Sequence, residues 1–309
     1  MNITLLDLAA RTDSDPVVGL IEQVLTSAPE MQTLPIRTIT GTSYKATLRT
    51  ALPGSGIGVF RDVNEGVETG SSTYTQKTIE TYFMDKQLEV DEAIVKGQPY
   101  NIGDILMDEL EGALRDCFIQ LSNQFYRGTD VSSKGFSGLP TFLNTDLEVD
   151  AAGTGAETYS VWGVVEGIQN LHMIAGNQGT FGSRAWTQET VKDDDGNPFR
   201  AYTNNISSWL GLNVGSVYSV GRIKNLTSGK PLTDKLVSEM ISKFPVGMRP
   251  TRLFVNRATS YQLQASRSAT VVYNGSKSGD GSEVWAPMPI ESNGIPITVT
   301  DGITAEAAS

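Results

Sequence analysis

One apolar stripe constrains this chain more than anything else in it. Ile102, Leu106, Leu110, Leu114, Cys117, Leu121 and Phe125 recur at gaps of three or four residues. That spacing lines up side chains on one face of an α-helix, whereas a strand would send alternate residues to opposite faces. At ~1.5 Å per residue, a helix over 102–126 is about 36 Å long. An ordinary domain does not need one that long. Asp104, Asp108, Glu109 and Glu111 crowd its first half, and Arg115 and Arg127 come later, the order that the helix dipole favours. Gly128 is placed to end it. Cys117 is the only cysteine of the chain, so no intramolecular disulfide can form. On the apolar face it reads as a small buried hydrophobe.

The segments before this helix read as protrusions. Residues 1–35 look like an arm. Within it, "DPVVGLIEQVL" (15–25) has the spacing of a short amphipathic helix, with Val17, Val18, Ile21, Val24 and Leu25 expected on one side, and Pro29 and Pro35 follow as breakers. "SYKATLRT" (43–50) alternates, with Tyr44, Ala46 and Leu48 on one face and Lys45, Thr47 and Arg49 on the other. This is a half-exposed strand. A second extended run goes from Tyr74 to Val90, and its partly charged, β-rich character predicts a returning strand. The two make a long hairpin whose tip, including Gly54, Gly56, Gly58 and "RDVNEGVETGSS" (61–72), is rich in Gly, Ser, Asp and Glu.

Beyond the long helix the elements are irregular. "GFSGLP" (135–140) is a tight turn and 150–160 a loop. A helix is expected over about 161–175, with Val161, Val164, Val165, Ile168 and Leu171 on its face. Residues 184–202 read as two strands around an Asp-Gly turn, and 211–223 as more β structure. A helix at 233–244, a strand at 251–256, a short helix at 257–266 and a strand at 295–301 complete the chain. This mixed order makes the class α+β.

Several kinds of chemistry are excluded by spacing. A phosphate loop needs a Lys after its glycines, but position 59 is Val and no Lys lies between Lys45 and Lys77. A dinucleotide fingerprint fails at the same Val59. "DDDGN" (193–197) looks like a calcium loop, yet the required Gly and Glu positions hold Pro198 and Asn204. A hairpin turn fits better. His172 is the only histidine, placed near the apolar face of the 161–175 helix, and no G-x-S-x-G elbow supplies a serine for it. Asp108 and Glu111 read as a solvated helix face. No catalytic, cofactor or metal residues are therefore assigned.

The balance of 24 basic against 35 acidic side chains gives a net charge of −11. Nucleic-acid binding depends on neutralising phosphates, so a dedicated binder is excluded. An acidic wall would instead repel a polyanion, which suits a protein that encloses one without gripping it. The start "MNITLLDLAARTD" has no basic region, and no stretch approaches ~18 apolar residues. Both point to a cytosolic chain, or one in something assembled there.

An arm, a long protruding hairpin and a very long helix gain stability by packing on something else. In that order, they resemble the major capsid proteins of tailed bacteriophages, the Hong Kong 97 fold. The resemblance covers the arm (1–40), the extended loop (41–80), the long "spine" helix (102–126) and "GFSGLP". Its most specific part is "LVSEMISKFPVGMRPTRLFVNRATSYQLQAS" (236–266), followed by "NGIPITVTDGI" (293–303), which is similar to the closing strand of such proteins. The resemblance implies a peripheral domain over 81–140 that holds the spine helix, a mainly axial domain over 141–230, and return segments shared by both over 231–309.

It also implies a non-enzymatic shell subunit that assembles as pentamers and hexamers into an icosahedral head around double-stranded DNA. The location would be the virion, after assembly in the host cytoplasm. Its partners would be copies of itself and a portal. Some relatives begin with a fused scaffolding domain. Here the extended loop is reached by about residue 41, which implies a separate scaffolding protein unless an N-terminal piece is removed first. Some relatives also link subunits through a Lys of the loop. No Lys lies in 46–76, so no such link is expected. The candidate interface residues are Leu20, Ile21 and Leu25 in the arm, Tyr44, Leu48, Phe60 and Tyr82 on the hairpin flanks, and Gly54, Gly56 and Gly58 at its tip. Two alternatives remain: an encapsulin-like nanocompartment shell with a protein cargo and, more remotely, a soluble hydrolase.

Overall fold

A computed structural model describes residues 28–53, 60–67, 69–96, 102–179, 182–183, 185–268 and 286–308. The chain enters through one helical turn, α1 (Glu30–Thr33), and passes into β1 (Ile36–Thr38), β2 (Ser43–Ala51), β3 (Thr73–Glu80) and β4 (Tyr82–Asp91). The short α2 (Glu92–Lys96) precedes the spine helix, α3 (Ile102–Arg127), and α4 (Leu139–Phe142) follows it. Then come β5 (Glu148–Asp150), β6 (Tyr159–Val164), β7 (Leu171–Ala175), β8 (Gly182–Ser183), β9 (Thr187–Lys192), β10 (Pro198–Val214) and β11 (Val220–Leu226). The chain ends with α5 (Asp234–Lys243), β12 (Arg252–Val255), α6 (Arg257–Ser268), β13 (Glu291–Ser292) and β14 (Ile295–Val299).

These strands form two six-stranded sheets and a separate ribbon. The first sheet runs β1-β7-β10-β4, with β8 and β9 also on β10. The second runs β13-β14-β12-β6-β11-β5. The ribbon is β2 paired only with β3, from Ser43↔Glu80 to Ala51↔Thr73.

The spine helix ties the sheets together through its apolar stripe. In its first half, Leu106 packs with Val90 and Val95. Ala113 and Cys117 then pack on Ile206 of β10, flanked by Met84 and Leu88 of β4. At its end, Leu121, Phe125 and Tyr126 enter a core shared with Leu171 and Leu212 of the first sheet and Trp162 and Phe254 of the second. Gly128 ends the helix at φ +60, and a Cβ there would lie 2.3 Å from the backbone nitrogen of Gly138. Only glycine allows both that conformation and that approach. On the second sheet, α5 buries Val237 and Met240, and Phe244 just after it, against Leu147, Val161, Ile223 and Leu253.

Two expectations need correction. Residues 161–175 are not a helix but the end of β6, a turn and β7. Val161 and Val165 of this stretch face the core under α5, and Trp162 and Val164 face the core shared with the spine helix, so Ser160 through Val165 are all buried. A strand covered on both faces is apolar at consecutive positions and matches a helical template by accident. The turn is closed by Gly167 N donating to Leu171 O at 3.0 Å, and Ile168, expected on an apolar face, is exposed. Secondly, the run 74–90 is not one strand. It breaks at Thr81, whose N and Oγ1 both donate to Thr42 O at 2.8 Å. β3 completes the ribbon, while β4 joins the first sheet antiparallel to β10 from Ala201↔Asp91 to Leu210↔Tyr82.

The "DDDGN" segment is the hairpin turn expected between β9 and β10. The Asp193 carboxylate accepts from the backbone nitrogens of Asp195 and Asn197, at 3.0 and 2.7 Å, and Gly196 takes φ +85.

Candidate assembly surface

The ribbon is the one element of the described residues whose strands pair with nothing but each other, so what holds its root decides where it points. Three contacts do this. Thr81 closes the base on Thr42, as above. Tyr44 on β2 turns inward, its hydroxyl 3.4 Å from Nε2 of His172, with the Arg37 guanidinium 4.6 Å from the centre of its ring. Lys77 on β3 donates to Val214 O at 3.3 Å and lies 4.9 Å from the centre of the Phe142 ring. The root also rests on two glycines. A Cβ at Gly176 would lie 2.7 Å from Thr81 Oγ1, and one at Gly211 would lie 2.7 Å from Glu80 O.

The electrostatics of the root are those of an anchor. Burial lowers the pKa of His172, and the positive charge of Arg37 lowers it further. The ring is therefore neutral at pH 7 and completely buried. Burial likewise raises the Tyr44 phenol and lowers the Lys77 ammonium. Arg37, Arg49 and Lys77 share an open cleft between ribbon and body with Tyr44, Phe142 and Tyr218, and no carboxylate among the described residues lines it. In a chain of net charge −11, this is a local positive face.

The candidate residues fall into three groups. Tyr44 and Leu48 lie on the half-buried face of β2, as their alternation requires. Phe60 is fully exposed. Tyr82 is half-buried against its own chain's shared core beside Met84 and Phe118. Gly54, Gly56, Gly58, Leu20, Ile21 and Leu25 lie outside the described residues.

Sequence reasoning missed two sets of exposed apolar groups. Leu52 and Val63 join Phe60 towards the ribbon's far end, at 69% and 90% exposure. Phe83 projects from the open face of the first sheet, its ring 5.2 Å from Trp209. The alternation of "YFMDKQ" carried the second signal: Tyr82 and Met84 point in, so Phe83 points out.

Comparison with known proteins is consistent with this shape. No curated protein matches the chain. Among solved structures, a bacteriophage epsilon15 structure from cryo-EM matches with a TM-score of 0.73 at 19% identity, covering 100% of this chain and 97% of that one. The bacteriophage JBD30 capsid matches with a TM-score of 0.54 at 10% identity, covering 97% and 99%. The same capsid decorated with minor capsid protein trimers gives 0.53 at 13% identity, covering 97% and 98%. At these identities the likeness is one of fold, and the fold is the α+β fold of phage capsid proteins. The family is shown by its own model, described as major capsid protein GP7, which matches residues 14–309. The chain therefore belongs to the GP7 major capsid protein family, and it is a structural subunit of a phage head shell, not an enzyme.

Proposed function

We propose that the subunit builds its shell by laying the β2–β3 ribbon and the N-terminal arm on neighbouring copies, as pentamers and hexamers of an icosahedral head around double-stranded DNA. The observation that carries this is the ribbon itself. A two-stranded ribbon is at best marginally stable alone, and this one ends in exposed Leu52, Phe60 and Val63 while its root is fixed to the body. Apolar groups held out on an anchored lever gain most by burial on another molecule. Many such weak contacts sum over a closed shell.

In this reading α3 and the first sheet form the peripheral domain, and the second sheet with α5 and α6 forms the axial domain. β7 to β10 then stay peripheral, so the axial share of residues 141–230 is smaller than the sequence suggests. Leu20, Ile21 and Leu25 in the arm, with Leu48, Phe60 and the glycines 54, 56 and 58, are the interface candidates. Tyr44 and Tyr82 support the interface from within their own subunit. The net charge of −11 leaves DNA enclosed without sequence-specific binding. A separate scaffolding protein and a portal complete the assembly in the host cytoplasm.

Deleting residues 50–72 tests the central claim. The expected product is a folded subunit by circular dichroism that forms no closed shells in negative stain, with or without co-expressed scaffold. Shells of normal size and yield from this deletion overturn the role given to the ribbon.

A further inference from the structure

Glu30 opens α1, where the arm meets the body, and its side chain is completely buried. Ser122 Oγ on the spine helix donates to one carboxyl oxygen. The other, Oε2, is buried without a hydrogen-bond partner, and so is the hydroxyl of Tyr126 one turn further along the helix. Glu30 and Tyr126 are close enough for a charge on the carboxyl to raise the phenol's pKa. The remaining wall is the segment 300–303. Its Thr300 hydroxyl and Asp301 carboxylate both act on Glu30. That segment fits only because residue 302 is glycine: a Cβ there would lie 1.9 Å from Ser122 Oγ and 2.9 Å from the Tyr126 ring.

The groups acting on Glu30 are thus hydroxyls, its own backbone N–H and a second acid. From α3 they are Ser122 and Tyr126, and from the C-terminal segment Thr300 and Asp301. The nearby cation, Arg257, bonds Asp301 Oδ2 at 2.6 Å. Burial pushes the Glu30 carboxyl up, the Ser122 and Thr300 hydroxyls offset this in part, and Asp301 pushes it further up. A carboxylate in this site would be a buried charge with one oxygen unpaired, which a protein interior does not stabilise.

We propose that Glu30 is a proton-dependent latch: as a neutral acid it fastens the root of the N-terminal arm to the spine helix and to segment 300–303, and on losing its proton it frees that root. The arm side is the one that moves, because the C-terminal side is fastened independently. Thr300 N donates to Val255 O at 2.9 Å, Glu306 N donates to Thr158 O at 2.8 Å, and Glu306 also pairs with Arg222 at 2.7 Å. The arm root has the buried Met31 and Leu34 and the bond from Met173 N to Pro35 O.

The direction of the pH effect follows. The docked state holds a proton that undocked Glu30, with its ordinary value of 4.5, gives up. Docking is strongest below 4.5 and weakens as pH rises, by up to about tenfold per pH unit, until the docked group itself ionises. The consequence for assembly rests on the arm reaching neighbours as proposed above. The latch itself does not, since it is read in the unassembled subunit.

Hydrogen exchange of the full-length subunit, corrected for intrinsic rates, tests it over residues 28–35 between about pH 5 and 8. In the wild type, opening should increase up to about tenfold per pH unit across part of this range, and Glu30→Gln should remove the slope. A flat wild-type profile, or the same slope in E30Q, overturns the latch. Should E30Q fail to fold, Ser122→Ala decides. Losing that donor raises the docked pKa, so the slope must extend to higher pH, and an unchanged profile overturns the proposal.

Discussion

Replacing Gly211 with alanine should swing the ribbon without unfolding the subunit. The new Cβ would lie 2.7 Å from Glu80 O and 3.4 Å from Thr81 Cα. The oxygen is backbone and cannot rotate away, so relieving the contact to ~3.4 Å requires a movement of about 0.7 Å. β10 is held by β4 on one side and by β7, β8 and β9 on the other, whereas the ribbon is held only at its root. The ribbon therefore yields. Across the ~4.8 Å between β2 and β3, a 0.7 Å push is a rotation of about 8°. The nine residues of β2 span ~30 Å, so the far end moves about 4 Å. That distance exceeds the reach of a hydrogen bond or a van der Waals contact. The cost in stability should stay near the ~1–3 kcal/mol of overpacking. Gly66→Ala is the control, because nothing lies within 4 Å of its Cβ position. Thermal melts should show both variants folded, and negative stain should show closed shells for G66A but open or aberrant ones for G211A. Wild-type shells from G211A, with the ribbon at its original angle, would refute the lever reasoning.

Phe125→Ala should cost about 3–5 kcal/mol, because the ring is fully buried and packs edge-on against Tyr126 and Phe254 at 5.0 and 6.2 Å; calorimetry of the unassembled subunit should show a Tm roughly 5–8 °C lower. Asp234 is held below its ordinary value of 3.8, first by the Arg267 hydrogen bond and then by Ser292. Its contribution to stability is fully present above 3.8 and is lost as pH falls through the lower folded value, so Asp234→Asn should flatten that part of the Tm-against-pH curve, and an unchanged curve would mean the pair contributes nothing. With no Lys in residues 46–76, purified particles should run as monomers on a denaturing gel, and a ladder of covalent multimers would contradict this.

Elements with one covered face were legible in the sequence. The spine helix spans Ile102–Arg127 against an expected 102–126, because only one of its faces is covered, which keeps a clean period. β2 was legible for the same reason, with Tyr44 and Leu48 on the covered face. Residues 161–175 were misread because β6 is covered on both faces, which erases the alternation that marks a strand. The break at Thr81 was invisible for a different reason. No local signal separates β3 from β4, and what divides them is pairing: β3 to a strand about thirty residues earlier, β4 to one more than a hundred residues later.

The same division explains which parts of the assembly surface could be foreseen. Alternation shows that a side chain on β2 or β4 is covered, but not by what. Tyr44 and Tyr82 were read as groups offered to a neighbour, and both are half-buried against their own subunit, through His172 and through the shared core. In the proposed assembly, Tyr44 holds the root of the lever that presents the exposed Phe60 and Val63. Loss of Tyr44 and loss of Phe60 should therefore fail differently. Tyr44→Ala frees the root, so the subunit should form shells of varied curvature. Phe60→Ala leaves the angle intact and removes contact area, so shells should keep their size and lose only stability. If both variants gave the same mixture of particles, the distinction between supporting and contacting residues would not hold.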